Sequence, residues 1–256
     1  MAGRLLLHIG THKTGSTTLQ HVLRRNRSAL RRSGVAAIEF PPGFGGLARR
    51  RTADPALVAE LRATLRPSLE TDASTAVVSW EGFSGDSRRG YDNAPAMAEQ
   101  AQAIFGGHDV RVLVYLRRQD ELIESVYVQQ IHGGASLTFD EFLAALPPHA
   151  FDWERFLTPW AERFGTEALV IRPYDRRALP EPDDLVHDFL RHLGLAVTDL
   201  EFRDRLPRLN RGYDRVALEI ARRVNPRLDA AERTELRRRL QATGTRGPHA
   251  PHGLLT

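Results

Sequence analysis

The sequence predicts an α/β fold in three layers, a central parallel sheet covered by helices on both faces. Two observations carry that expectation. Short apolar runs alternate with segments of helix length and amphipathic pattern, the rhythm of strand–helix–strand units whose strands run parallel. A chain of 256 residues is also long enough to bury a sizeable core in one such unit.

In chain order, residues 4–9 read as the first strand and residues 16–32 as a helix ended by Gly34. A short strand follows at 35–40, and Pro41-Pro42-Gly43 opens a loop over 41–52 that reads as a flexible surface segment. Residues 55–66 form a helix stopped by Pro67, which lacks the N–H that a helix interior requires. A strand at 76–80 precedes a helix at 95–105, whose Pro95 stands in the first turn, where no N–H is missed. The strand at 110–116 leads into helices near 119–131, 139–146 and 151–163. A strand at 168–172 and helices near 183–193, 213–224 and 229–241 complete the chain. No linker or repeat divides it, so one domain is expected over 1–243. The segment 244–256 lacks apolar periodicity and reads as a flexible tail.

The most informative stretch is Leu5-Leu6-Leu7-His8-Ile9-Gly10-Thr11-His12-Lys13-Thr14-Gly15-Ser16-Thr17-Thr18-Leu19. A strand enters a hydroxyl-rich, glycine-punctuated turn and leaves as a helix, the layout of an anion cradle at a helix N-terminus. Gly10, Gly15 and Thr17 satisfy the nucleotide-binding pattern G-x-x-x-x-G-K-[ST], but Ser16 stands where the lysine belongs. The cation is Lys13, inside the loop. From there an ammonium meets a group attached beyond a single 5′-phosphate and is poorly placed for a triphosphate. The N–H groups and hydroxyls from Thr14 to Thr18 remain for one anion.

His12-Lys13-Thr14-Gly15-Ser16-Thr17-Thr18 resembles the 5′-phosphosulfate loop of sulfotransferases that use 3′-phosphoadenosine 5′-phosphosulfate (PAPS), in the form seen in bacterial and carbohydrate-type members. A second motif is similar too. Val112-Leu113-Val114-Tyr115-Leu116-Arg117 ends a strand, and Ser125 stands eight residues on inside a helix, matching the family's 3′-phosphate signature. A guanidinium fork and a directed hydroxyl suit a phosphate. Arg118 is a neighbour that the sequence does not separate from Arg117. Leu209-Asn210-Arg211-Gly212-Tyr213 resembles the family's late basic loop, making Arg211 a further nucleotide contact, and Tyr174 falls in the family's strand-end turn. The resemblance implies a P-loop-like sulfotransferase fold, PAPS as co-substrate, no metal, and Lys13 as the cation facing the transferred group.

Acceptor activation requires a base at the carboxyl edge of the sheet. Glu81 directly follows the strand at 76–80, and the resemblance to carbohydrate-type members gives a glutamate that role. His132 is the rival base. His8 reads as a packed strand residue, and His12 as lining the sulfonate or shaping the turn.

Composition narrows the alternatives. The chain carries 36 Lys+Arg against 32 Asp+Glu, for a net charge of +4, which accommodates anionic ligands without a nucleic-acid stripe. With no cysteine, thiolate catalysis and cysteine-bound zinc are excluded. No apolar run reaches a membrane span and no leader precedes the first strand, so a cytoplasmic location is expected. The expectation is a PAPS-dependent O-sulfotransferase acting on a carbohydrate or small-metabolite hydroxyl. The alternatives are a P-loop kinase using ATP-Mg and a non-catalytic nucleotide-binding protein. Acceptor identity and oligomeric state are not encoded legibly.

Overall fold

The computed structural model describes residues 3–175, 179, 184–201, 213–243 and 254. Five strands, β1 (Arg4–His8), β2 (Val35–Ile38), β3 (Thr75–Ser79), β4 (Val110–Leu116) and β5 (Leu169–Pro173), form one sheet in the order β2-β3-β1-β4-β5. Every pairing is parallel, as the alternation of strands and helices predicts. Leu5, Leu6 and Leu7 are fully buried because β1 is the central strand and is covered on both faces. The chain first moves from β1 to β2 and β3 on one side, then crosses to β4 on the other. The order therefore reverses between β1 and β4, and the crevice above their carboxyl ends is where α/β sheets bind ligands.

The chain divides into two compact units, Met1–Arg117 with His149–Arg205, and Arg118–Pro148 with Leu206–Thr256. The first holds the sheet and the helices α1 (Ser16–Arg25), α2 (Arg27–Arg32), α3 (Pro55–Leu69), α4 (Ala94–Phe105), α7 (Trp153–Phe164) and α8 (Asp184–His192). α1 packs with α2 and α8, and α4 packs with α3 and α7, giving the two helical layers of the sheet. The second unit contains α5 (Gln119–His132), α6 (Phe139–Ala144), α9 (Arg215–Val224) and α10 (Ala230–Thr243). Here α9 packs against α5 and α10. The buried Asn225 donates to the carbonyls of Ile131 and Ala135, both at 2.8 Å, which satisfies the C-terminal end of α5. The boundary between Arg117 and Arg118 has no glycine or proline to mark it, and the polar run Arg117-Arg118-Gln119-Asp120-Glu121 there leads directly into α5.

Three local expectations are corrected. The helix over 16–32 is broken at Asn26, whose side chain and own N–H both donate to the Val22 carbonyl, at 3.1 and 3.0 Å. Such local side-chain bonding competes with helix continuation. The helix expected to stop before Pro67 runs on to Leu69, since Leu65 and Leu69 are both buried and outweigh the missing proline N–H. The 41–52 segment is anchored where flexibility was expected. It holds a 3₁₀ turn, Phe44–Arg49, with Phe44 and Leu47 buried. The side chain of Asn93, also buried, donates to the carbonyls of Ala48 and Arg50 at 2.9 and 2.8 Å. Residues 244–256 lie outside the described part except Leu254, whose N–H donates to the Glu124 carboxylate at 2.6 Å.

Candidate functional site

The loop after β1 is fixed from three directions. The Thr11 hydroxyl donates to the Tyr115 carbonyl of β4 at 2.7 Å. The Thr14 hydroxyl donates to the Thr11 carbonyl at 2.6 Å, so its proton braces the loop. The His12 N–H donates to the phenol of Tyr91 at 3.0 Å. Gly15 then caps α1 in the left-handed region, with φ of 81°. A Cβ there would also lie 2.4 Å from the terminal methyl of Leu185, which would have to move, so conformation is the main reason glycine suits this position.

The first helical bond of α1 runs from the Leu19 N–H to the Gly15 carbonyl. The N–H groups of Ser16, Thr17 and Thr18 therefore precede the helical ladder and face the loop's mouth with the positive end of the helix dipole. Thr17 is exposed and Thr18 half-buried. The Ser16 hydroxyl is buried without a hydrogen-bond partner among the described residues, a donor left over at an anion cradle. Beneath it His8, fully buried, bonds Ser79 through Nδ1 at 2.8 Å, and burial pushes its pKa down to about 3. Its Nε2 has no partner among the described residues and lies close under Gly10.

Glu81 and His12 come together because β1 and β3 are parallel and in register. His8 pairs with Ser79, so residues just past each strand end emerge side by side. His12 Nε2 stands 3.2 Å from Glu81 Oε1, and His12 Nδ1 stands 3.3 Å from the Tyr91 hydroxyl. The side chains of His12 and Glu81 are 18% and 34% exposed, so the imidazole is largely covered while the carboxylate keeps an open side. Burial lowers the pKa of His12; the Glu81 charge opposes this, and the charges of Lys13 and Arg88 add to it. Lys13 itself adopts φ of 64°, as Tyr91 does at 65°, a left-handed geometry that ordinary residues adopt at a cost of roughly 1–3 kcal/mol.

An aromatic wall adjoins Glu81. Trp80 stacks on Phe40 with centroids 3.9 Å apart and planes 6° apart, and both are half-buried. The indole lies against Gly82, where a Cβ would strike it at 2.2 Å. Beyond β4, Arg117 is 5% exposed, and its carbonyl accepts from the Trp153 indole at 3.2 Å. Its charge acts on the phenol of Tyr174, whose pKa burial raises. Tyr174 in turn lies beside Gly15.

The first unit thus holds the loop residues His12 to Thr18, Glu81 and Arg117. Ser125 and His132 belong to the second unit, with Ser125 half-buried within α5 and His132 packed edge-on against Tyr213 at 4.0 Å. Arg211 lies outside the described residues. Sequence reasoning did not pick out Tyr91. Its only signal was a tyrosine after Gly90 in a polar turn, too common to select. Among the described residues no group of three or more His, Cys, Asp or Glu is arranged to hold a metal ion. Nor, among them, is any helix long and apolar enough to cross a membrane.

No family model matches the chain. A protein of Archaeoglobus fulgidus described as uncharacterized is 29% identical over 119 residues, 46% of this chain. The match spans about a third, 31%, of that relative's length. Among solved structures, a sulfotransferase from Alicyclobacillus acidocaldarius is similar at a TM-score of 0.45 and 14% identity. That alignment covers 91% of this chain and 99% of that one.

Proposed function

We propose that the chain is a PAPS-dependent O-sulfotransferase, moving a sulfuryl group to the hydroxyl of a carbohydrate or small metabolite and releasing adenosine 3′,5′-bisphosphate. The observation that supports this reading is Glu81 Oε1 standing 3.2 Å from Nε2 of His12, the residue before Lys13 in the loop that leads into α1. Lys13 precedes the second glycine in the chain, and the Glu81 carboxylate keeps an open side. The residues suit the donor. Gly15 leaves room at the cradle, and the buried Ser16 hydroxyl has a hydrogen bond to give. Arg117, buried at the next strand end, supplies a guanidinium for the 3′-phosphate.

In this reading Glu81 takes the proton of the acceptor hydroxyl as that oxygen bonds sulfur. Lys13 and the N–H groups of residues 16–18 stabilise the charge that collects on the leaving phosphate as its bond to sulfur breaks. These groups occupy the role that magnesium fills in a kinase, so no metal is needed. The Trp80–Phe40 stack offers an apolar wall beside Glu81 for the acceptor's ring face.

The test is a thermal-shift comparison of adenosine 3′,5′-bisphosphate with ATP-Mg, followed by transfer from labelled donor to a panel of hydroxylated acceptors. Stabilisation by the bisphosphate alone, with label on an acceptor, is the expected result. Stabilisation by ATP-Mg alone would turn the reading to a kinase, and bisphosphate binding with no transfer to a non-catalytic binder.

A further inference from the structure

We propose that His12 and Tyr91 are positioning residues, a fixed relay that aims one carboxylate oxygen of Glu81 and leaves the other for the acceptor. The proposal rests on the sulfuryl-transfer reading for its consequence, and on the contacts of His12 with Glu81 and Tyr91 for its geometry.

An ionised carboxylate only accepts, so the proposal puts the ring proton on His12 Nε2, the nitrogen 3.2 Å from Glu81 Oε1. Burial, Lys13 and Arg88 all favour the neutral ring against the opposing charge of Glu81. A neutral ring carries one N–H, which leaves Nδ1 as an acceptor. In that tautomer the Tyr91 hydroxyl, 3.3 Å away, is the group that donates to it, and the Ser84 side chain is a second hydrogen-bonding neighbour of the phenol. The same phenol oxygen accepts the His12 N–H at 3.0 Å, so Tyr91 grips both the backbone and the ring of one residue.

Tyr91 is itself held. It is buried among Phe151, Trp153 and Phe156, with centroid separations of 5.8, 6.0 and 5.3 Å. The adjoining Gly90 packs so tightly that a Cβ would lie 2.4 Å from Ala150. The order therefore runs from a packed phenol through one imidazole tautomer to a single oxygen of a half-open glutamate. The charged and titratable groups facing the relay are Lys13 and Arg88 on the imidazole, and Glu81 and Asp86 on the phenol. A glutamate held this way keeps one oxygen occupied, so the other is presented in a constant direction.

Two measurements decide it. Nitrogen-15 NMR of the histidine rings in the full chain reports the tautomer without any substrate. The proposal requires Nε2–H at His12, and Tyr91→Phe should release Nδ1 and mix the tautomers. A wild-type ring protonated at Nδ1 would overturn it. Steady-state kinetics gives the second arm. His12→Phe should lower kcat by about 10- to 100-fold while bisphosphate affinity stays within about threefold. His12→Gln, whose amide N–H can replace Nε2–H, should restore kcat to within about fivefold of wild type. A glutamine variant as slow as the phenylalanine one, or parallel loss of nucleotide affinity, would refute positioning. If wild type transfers no sulfuryl group at all, the functional reading fails while the tautomer arm still decides the relay.

Discussion

Two carboxylates in the first unit, Asp188 and Glu81, sit in opposite surroundings, one fully engaged and one half open. Asp188 on α8 is 3% exposed and fully engaged. Tyr115 donates to it at 2.9 Å, Arg172 grips both oxygens at 3.1 and 2.7 Å, and Arg191 adds a bond at 3.0 Å. Burial would raise its pKa, but the hydrogen bonds from Arg172 and Tyr115 outweigh this and hold it below the usual carboxylate range. Glu81 has one oxygen engaged, by His12, and stands 34% exposed at the carboxyl edge of the sheet. A carboxylate whose lone pairs are all taken ties α8 to β4 and β5. One with an open side, at a strand end, is free to accept a proton in the proposed reaction.

The largest effect belongs to the reactive side of this contrast. Lys13→Ala should cut turnover by about 100- to 1,000-fold, measured as label transferred per minute, because it removes charge stabilisation made only in the transition state. Near-normal turnover would erase the distinction between the two regions. On the scaffold side, Asp188→Ala should cost about 2–4 kcal/mol in urea unfolding, since it strands Arg172 and the buried Tyr115 hydroxyl. Glu81→Gln should change stability by only about 0.5 kcal/mol in the same assay. Equal losses from the two would make Glu81 a scaffold residue as well.

Arg117→Ala sharpens the comparison at the nucleotide's other end. It should weaken adenosine 3′,5′-bisphosphate by about 10-fold or more, and adenosine 5′-phosphosulfate, which lacks the 3′-phosphate, far less. Isothermal titration of both ligands reads the difference, and equal weakening would remove the assignment.

Stability should also depend on pH. His8 is held neutral in the fold, with a pKa near 3 against 6.5 when solvated. The unfolded chain therefore binds a proton that the folded chain refuses, and stability falls as pH drops from 6.5 toward 3. His12 and His192, both shifted down by burial, add to the same window. Asp188 contributes below it, where its stabilisation is lost as pH falls through its depressed pKa. The melting temperature of His8→Gln should fall less steeply between pH 6.5 and 4 than that of wild type.

Much of the fold was legible because burial on both faces writes strands as plain apolar runs. Val110–Leu116 was read to the residue for this reason. The break at Asn26 was not, since the residue stands inside an amphipathic pattern and acts through a local hydrogen bond. At the site, Lys13 and Glu81 were legible as residue types at strand ends. The contact of Glu81 with His12 was hidden, because 69 positions separate the two and only the β1–β3 register brings them level. Asp188, Tyr115 and Arg172 were equally silent, spread over three elements with no local spacing to join them. The division at Arg117–Arg118 left no mark, since it falls in a continuous passage from strand to helix.

The central claim is that Glu81 is the proton acceptor in sulfuryl transfer beside Lys13. The direct measurement is release of adenosine 3′,5′-bisphosphate from PAPS, with an acceptor panel present, by wild type and Glu81→Gln. Bisphosphate affinity of both proteins is titrated alongside. The expected result is affinity within about threefold and turnover lowered by about 100-fold or more in the variant. Equal turnover by the two proteins would contradict the account.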